Sequence, residues 1–203
     1  GTVIEYQHFA FSFRSIICFK KEYVAQEKLL PETYNMDKTG WFVRRGKNYG
    51  LAIKGGNNGE SHNHNDVGSF ILSKDNKQIF ADIGAGPYCE GYHTDRRYTF
   101  LHPSSWSHNV PYFGDKPQDG VRRGGNVIID YDVSRNTATC EFSRMYGLDY
   151  VRMIRRTFIF KEKSLALIDI FETDHDTPIT ERFVSFIKPD VEGNSIIISG
   201  VRL

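Results

Sequence analysis

The hairpin that decides the fold class reads Tyr150-Val-Arg-Met-Ile-Arg-Arg-Thr-Phe-Ile-Phe160, then Lys161-Glu162-Lys163, then Ser164-Leu-Ala-Leu-Ile-Asp-Ile-Phe171. β-Branched and aromatic residues fill both arms, and a short charged linker separates them. Successive side chains of an extended strand point to opposite faces, so each arm can bury one face and expose the other. The stretch therefore predicts two long antiparallel strands joined by a tight turn.

The same pattern recurs through most of the chain after residue 37. Short apolar runs alternate with clusters of Gly, Asn and Asp, and residues 46–48 and 74–77 are typical of further hairpin turns. No long helical period competes, which favours an all-β, antiparallel, two-sheet β-sandwich. The predicted strands are Trp41 to Arg45, Tyr49 to Lys54, Gly68 to Ser73, Gln78 to Asp82, Asn126 to Tyr131, Thr137 to Phe142, Tyr150 to Phe160, Ser164 to Phe171, Glu181 to Ile187 and Ser195 to Ser199.

Length, composition and charge restrict the class of function. The 203 residues suffice for one substantial domain, and the apolar and charged fractions are those of an ordinary soluble globular protein. The formal net charge of +1 does not favour nucleic-acid binding. No apolar run reaches the about 20 residues that a membrane-spanning helix needs. We therefore expect neither nucleic acid nor membrane among the partners.

The N-terminal part is the least regular. Residues 1–36 predict a poorly defined connector or edge segment, which ends in a turn-rich run from Leu30 to Asp37. Residues 37–203 predict the sandwich domain. The first residues, 1–5, lack the basic and apolar regions of a signal peptide, so we expect none in this stretch and the compartment stays open.

The segment Ser61-His-Asn-His-Asn-Asp66 is the strongest indication of a functional site. Glycines flank it on both sides, and two imidazoles lie one residue apart among amides and a carboxylate, a composition that suits a core poorly. If the segment is extended, His62 and His64 point to the same side and reach one small volume, while Asn63 and Asn65 point the other way. The glycines would let a ligand or another segment approach the backbone closely.

A long loop from Gly84 to Gly125 offers partners for these two rings. Loops of this length on a rigid sheet often carry function. The loop contains His108 in a second Ser-His-Asn sequence, and Asp82 ends the strand that precedes the loop. His64, Asp82 and His108 form a ligand set that suits a zinc ion with an open fourth position. Each of the three is also compatible with an ordinary hydrogen-bonded, capping or turn residue.

Three ordered motifs resemble the C-terminal half of the heparinase II/III-like polysaccharide lyases. They are Ile53-Lys-Gly-Gly-Asn-Asn-Gly-Glu-Ser-His-Asn-His-Asn-Asp-Val-Gly-Ser-Phe70, Ala81-Asp-Ile-Gly84 and Ser107-His-Asn-Val-Pro111. The strands around residues 155–160 and 168–170 resemble that family more loosely. The resemblance implies a supersandwich-like β-domain that follows a helical toroid domain, with the active site in the cleft between them. The helical domain would then be a partner that this chain does not contain.

The resemblance also implies a role for individual residues. His62 matches the family's catalytic histidine, while His64, Asp82 and His108 match the ligands of one zinc ion that is regarded as structural. The reaction would be β-elimination in a uronate polysaccharide such as heparin or heparan sulfate. A base removes the proton at C5, an acid protonates the leaving oxygen at C4, and the uronate carboxylate is neutralised. Since the principal acid and base would lie on the helical domain, this chain alone is expected to be inactive. A periplasmic or secreted location is expected by resemblance.

Further residues near the two motifs are weaker candidates. Tyr88 and Tyr98 are expected in the cleft, where they could be catalytic or could pack as ordinary loop aromatics. Arg96 and Arg97 are expected to bind substrate, since guanidinium groups suit carboxylate and sulfate, and Asn63 is grouped with them. These five residues complete the predicted substrate site.

Two arginine pairs on predicted strands are expected to be structural. They are Arg44-Arg45 and Arg155-Arg156. Arginines on half-exposed strands usually lie on a solvated face or pair across strands, so neither pair is expected at the site.

Two alternative functions remain open at this stage. A non-catalytic sandwich that binds carbohydrate or metal would show the same motifs, because half of the catalytic groups are expected elsewhere. A cupin metalloenzyme also combines a β-fold with a His-Asn-His sequence, but it would place a Glu soon after His64. The sequence there is Asn65-Asp-Val-Gly-Ser69, which makes the cupin alternative remote.

Overall fold

Strands and short 3-10 helices make up the regular structure of the part of the chain that the computed structural model describes, residues 32–75 and 77–202. Predictions for residues 1–31 lie outside this part. The 3-10 helices are Arg97–Thr99, Ser105–Ser107 and Ser143–Tyr146. The strands are β1 (Thr33–Met36), β2 (Trp41–Arg45), β3 (Gly50–Lys54), β4 (Phe70–Lys74), β5 (Lys77–Phe80), β6 (Tyr112–Phe113), β7 (Asp130–Asp132), β8 (Thr137–Glu141), β9 (Val151–Phe160), β10 (Leu165–Thr173), β11 (Ile179–Thr180), β12 (Asp190–Glu192), β13 (Ser195–Ile198) and β14 (Val201–Arg202).

The first five strands form one antiparallel sheet in the order β1-β2-β3-β4-β5. Arg45 pairs with Gly50 and Lys74 pairs with Lys77, so the two predicted hairpins are confirmed. β3 alternates buried and half-buried positions, as a strand with one face in the core should. The connection from β3 to β4, residues 55–69, is much longer and carries the histidine-rich segment.

The β9–β10 hairpin lies at one side of a second sheet, which has the order β10-β9-β8-β7. Leu165 pairs with Phe160 and Phe171 pairs with Ile154, so the predicted antiparallel hairpin is confirmed. Two small sheets, β11-β6 and β12-β13-β14, complete the pairing among the described strands.

Aromatic residues from both larger sheets meet in one core. The rings of Phe42 and Phe160 have centroids 5.9 Å apart, and those of Phe70 and Phe158 lie 5.1 Å apart. Burying a side chain of this size contributes about 1.5–3 kcal/mol. The two sheets therefore pack face to face, and the predicted all-β class is confirmed.

Two predicted boundaries differ from the observed strands. The turn-rich run at 30–37 contains β1, which pairs with β2 at the edge of the first sheet. The strand predicted at 126–131 is limited to its end, where β7 begins at Asp130. Val127 forms only an isolated bridge to Gly56, because the chain here follows the loop that carries the histidines rather than a neighbouring strand.

The strand predicted at 181–187 is wrong. The backbone N–H of Val184 donates to the side chain of Asn109 at 2.6 Å, and the Glu181 carboxylate accepts from Arg156. The Val184 carbonyl still accepts from the Ala81 N–H at 2.8 Å, but side-chain partners take the other positions and no regular backbone ladder forms. The alternation of apolar residues in this part of the sequence reflects which side chains point inward. It does not show that the backbone pairs with a neighbouring strand.

The loop at 84–125 is largely irregular, as predicted, and is interrupted by two 3-10 helices and β6. It follows the end of β5 and leads to β7, so it can pack against the loop between β3 and β4. Within the described residues there is no helix of the length and apolarity that crossing a membrane would require.

Candidate functional site

The His-Asn-His segment is a turn, so the extended conformation considered above is wrong. His62 has φ of 60°, in the left-handed region, which costs most residues energy and is often found at functional sites. This kink separates the two imidazoles. His62 is exposed, whereas His64 is half-buried and turns towards His108.

The inner cluster consists of His64, Asp66, Asp82 and His108. The rings of His64 and His108 have centroids 5.3 Å apart, and the Nδ1 atom of His108 lies 2.9 Å from a carboxylate oxygen of Asp82. One potential ligand atom from each of His64, Asp66 and His108 lies within 4.8 Å of the other two. Three separate segments of the chain thus bring two imidazoles and two carboxylates together.

The surroundings of His108 fit a cation. The Nε2 atom of its ring lies 3.1 Å from the backbone oxygen of His102, which can only accept a hydrogen bond. A neutral ring that donates from Nε2 presents the Nδ1 lone pair on the side of the Asp82 carboxylate, which is the form of imidazole that ligates a metal ion. A ligating histidine whose other N–H is held by a carbonyl is common at metal sites. In a tetrahedral zinc site neighbouring ligand atoms lie about 3.3 Å apart, so ligand atoms that lie up to 4.8 Å apart would have to move closer together to bind the ion.

Charges within the inner cluster keep its groups in forms that bind metal. Burial is the largest influence on the pKa of His64 and lowers it, and despite opposing carboxylates the pKa stays below its ordinary value. Burial raises the pKa of Asp82, but the hydrogen bond and charge of His108 and the Gly84 N–H lower it by more. A neutral imidazole and an ionised carboxylate are the forms that bind zinc.

Asp66 is a carboxylate that sequence reasoning did not assign to the site. It is 5% exposed and forms a salt bridge with Lys54, whose ammonium also donates to the Asn63 side chain at 2.8 Å. The lysine compensates the buried charge and holds the loop against β3. Asp66 follows His64 by two residues, and this position in the Ser61-His-Asn-His-Asn-Asp66 motif could have identified it from the sequence as a member of the site.

The rim of the site consists of His62, His93 and Tyr88. The rings of His62 and His93 have centroids 5.5 Å apart, and those of His93 and Tyr88 lie 4.8 Å apart. Tyr88 is 63% exposed, and both histidines are exposed. Neighbouring exposed rings form an apolar surface with polar edges, which suits a sugar ring. Sequence reasoning missed His93, because nothing in its local sequence links it to His62.

The predicted substrate-binding residues differ in how they are engaged. Arg97 donates from Nε and from one terminal nitrogen to the Asn63 backbone oxygen at 3.2 and 3.0 Å, which fixes the histidine loop. Arg96 is exposed. Tyr98 is half-buried, and burial raises its pKa although the Arg97 charge lowers it, so the phenol keeps its proton at neutral pH. The Asn63 side chain is held by Lys54.

Two buried residues support the site in ways that sequence reasoning did not show. Gln118, only 1% exposed, donates to the backbone oxygen of Val67 at 2.6 Å and accepts from the Asn58 side chain at 2.9 Å. Arg155 pairs across strands with Glu141 on β8 and Arg156 with Asp169 on β10, as the expected cross-strand role requires, but the burial of Arg156 was not expected. Arg156 is fully buried because carboxylates and carbonyls converge on it.

Comparison with known proteins now places this architecture. The family model described as "Heparinase II/III-like, C-terminal" matches residues 29–197. The chain belongs to this family. The residues of the inner cluster and of the rim therefore lie within a heparinase II/III-like domain. This family places the domain in a polysaccharide lyase context.

Solved structures agree on the fold of this heparinase II/III-like domain. A heparinase III gene product with methylated lysines aligns with a TM-score of 0.61 and 18% identity, over 84% of this chain and 26% of that one. A second structure of a heparinase III gene product aligns with a TM-score of 0.58 and 17% identity, with the same coverage. The chain thus spans about a quarter of the length of these proteins. No curated protein matches the sequence.

Proposed function

We propose that this chain is the C-terminal β-domain of a lyase that cleaves uronate-containing polysaccharide, such as heparin or heparan sulfate, by β-elimination. The observation that carries the proposal is the kink at His62, which separates an exposed imidazole on the rim from the inner cluster two residues later. One short segment thus supplies a group that can touch substrate and a group that can hold the loop in place. The remaining acid or base would come from a helical domain of the same protein.

His62 is proposed to act at the uronate, as a base at C5 or by neutralising the carboxylate. Its exposure leaves the imidazole accessible to substrate, and general acid–base catalysis of this kind contributes about 10²–10⁴-fold. Tyr98 keeps its proton at neutral pH, which suits a donor to the leaving oxygen at C4. Tyr88 on the rim and Arg96 in the same loop are exposed, and they would contact neighbouring sugars.

His64, Asp82 and His108 are proposed to hold one zinc ion. When bound, the ion would fasten the histidine loop to the end of β5 and to the loop at 84–125. The ligand atoms of His64, Asp66 and His108 lie within 4.8 Å of one another, and Asp82 is not part of this group. The Asp66 carboxylate, however, already forms a salt bridge with Lys54. We therefore assign Asp82 as the carboxylate ligand and Asp66 as its neighbour.

Metal content tests this assignment. Elemental analysis and zinc titration should show one ion in the wild-type chain and in Asp66→Asn, but a large loss in His64→Ala and Asp82→Asn. Equal metal content in wild type and His64→Ala would refute the site. Loss in Asp66→Asn with retention in Asp82→Asn would move the carboxylate ligand to Asp66.

Turnover tests the role of His62. In the polypeptide that carries both domains, His62→Ala should lower release of unsaturated uronate by about 10²–10⁴-fold while zinc is retained. His175→Ala is the matched control, because His175 is also exposed but packs against Tyr150. Full turnover in His62→Ala would refute the catalytic role. Vigorous cleavage by this chain alone would refute the need for a second domain.

A non-catalytic carbohydrate-binding domain remains the alternative, favoured by the quarter-length match to heparinase III. It predicts oligosaccharide binding at the rim without any cleavage in the two-domain polypeptide. The turnover assay therefore separates the two functions.

A further inference from the structure

A buried polar network lies directly behind the inner cluster. The hub, as we call it, consists of Arg156, Asp169, Glu181 and Asn109. Arg156 is 0% exposed, and its Nε and one terminal nitrogen donate to the Asp169 carboxylate at 2.9 and 2.6 Å. The same terminal nitrogen donates to Glu181 at 3.1 Å. A buried guanidinium requires this degree of compensation, so the hub is a rigid anchor of β9 and β10.

The free arm of Arg156 reaches two loops of the site. Its other terminal nitrogen donates to the backbone oxygen of Gly68 at 2.9 Å and to that of Asn109 at 2.6 Å. Gly68 ends the loop that contains His64, and Asn109 directly follows His108. One buried charge on the second sheet therefore fastens both histidine-bearing segments.

The Asn109 side chain extends this connection to the third segment. Its amide donates to the backbone oxygens of Phe70 and Ala81 at 2.6 and 3.0 Å, and its oxygen accepts from Val184. Its backbone N–H donates to the Ser69 hydroxyl at 3.1 Å. Ala81 directly precedes Asp82, so Asn109 couples the positions of His108 and Asp82 through one fully buried amide.

We propose that Asn109 and Arg156 are positioning residues that hold His64, Asp82 and His108 in ligand geometry before an ion binds. This inference depends on the metal site proposed above. Each ligand is within four residues of a backbone oxygen held by the hub, and the ligands come from three separate segments. Fixing these segments beforehand removes part of the ordering cost of binding, so the affinity for the metal depends on the hub.

Zinc titration of the whole chain with matched variants tests the inference. Asn109→Ala should weaken zinc binding by about 10- to 100-fold. Ser69→Ala removes only the acceptor of the Asn109 N–H, so it should weaken zinc binding by a smaller factor than Asn109→Ala does. This milder variant provides the test if Asn109→Ala does not fold. Tyr146→Phe is the control: it removes a buried hydrogen bond to Pro111, in the same loop, that does not reach Ala81. It should lower the melting temperature but leave zinc affinity unchanged.

A metal-free signal separates failure of this inference from failure of the metal site. In the apo chain, the Nε2–H of His108, which donates to the His102 backbone oxygen, should give a slowly exchanging NMR signal, which Ser69→Ala weakens and Tyr146→Phe preserves. Unchanged zinc affinity in every folded hub variant would overturn the inference while the metal site stands. If the wild type binds no zinc, the metal site fails and the NMR signal of the apo chain is decisive. Loss of this signal in Ser69→Ala then supports positioning by the hub, and persistence of the signal overturns positioning by the hub.

Discussion

The hub and the rim both contact the histidine loop, at Gly68 and at His62, and are built by opposite rules. In the hub, Arg156 and Asn109 are fully buried, and their polar groups bind carboxylates and backbone oxygens. On the rim, His62, His93 and Tyr88 are exposed and contact one another mainly through their rings. Buried polar groups thus fix the geometry of the site at a cost in desolvation, whereas exposed rings remain accessible to a ligand. Changes in the free energy of unfolding should therefore be large in the hub and small on the rim.

The largest effect is expected for Arg156→Met. Removal of the guanidinium leaves the Asp169 carboxylate buried without its cation, so the free energy of unfolding should fall by about 3–5 kcal/mol, measured by urea denaturation. Arg155→Met on the same strand is the control, since its pair with Glu141 is exposed and should contribute less than about 1 kcal/mol. Similar losses in both variants would remove the distinction between hub and surface.

Gln118→Leu should have the next largest effect. The variant keeps the volume but leaves the Val67 backbone N–H and carbonyl without their Gln118 partners and removes one of the two acceptors of the Asn58 amide, which costs about 1–3 kcal/mol of the free energy of unfolding. Thermal unfolding can compare it with Gln78→Leu, the same change at an exposed position of β5, expected to stay within about 0.5 kcal/mol. An unchanged melting temperature in Gln118→Leu would show that this buried amide does not support the site.

Glu181 should make stability depend on pH. Burial is the largest influence on its pKa and, with Asp169, raises it from 4.5 to about 8 despite the Arg156 charge. The folded state thus holds a proton that the unfolded state has already released, so the free energy of unfolding should fall as pH rises from about 4.5 to about 8. Glu181→Gln should flatten this slope in unfolding experiments across that range. Glu172→Gln, an exposed carboxylate on β10, should leave it unchanged; a slope that persists in Glu181→Gln would assign the effect to another group.

His93→Ala should have the smallest effect on stability. An exposed ring that contacts other exposed rings should change the free energy of unfolding by less than about 0.5 kcal/mol. Binding of a heparin-derived oligosaccharide, measured by calorimetry, should weaken at the same time, because the variant removes the middle ring of the rim. A stability loss of more than about 1 kcal/mol with unchanged binding would make the rim a structural cluster.

Much of the fold could be predicted because strand patterns are local. Both long arms of the β9–β10 hairpin and the pairing of β2 with β3 follow from alternation and turn residues. The strand predicted at 181–187 failed for a physical reason: the Val184 N–H binds the Asn109 side chain, 75 positions away in the chain. Alternation reports which side chains turn inward, but it does not report which group satisfies the backbone.

The site shows the same limit. His62, His64, Asp82 and His108 could be chosen from sequence, because their motifs are compact and ordered. The split between His62 and His64 could not, since a single left-handed residue turns two neighbouring rings to different environments. The burial of Arg156 could not be predicted for a similar reason: on a strand, it differs from the half-buried Arg155 only in the face on which it lies.

By itself, the sequence determined the all-β class, the family and the residue types that converge on the site, because each depends on patterns within a few neighbouring residues. Only the tertiary structure decided that His93 joins the rim, that Asp66 enters the inner cluster and that a buried arginine fastens both histidine loops. These contacts join residues that are far apart in the chain. Their energies depend on burial and on partners that exist only once the sheets have packed.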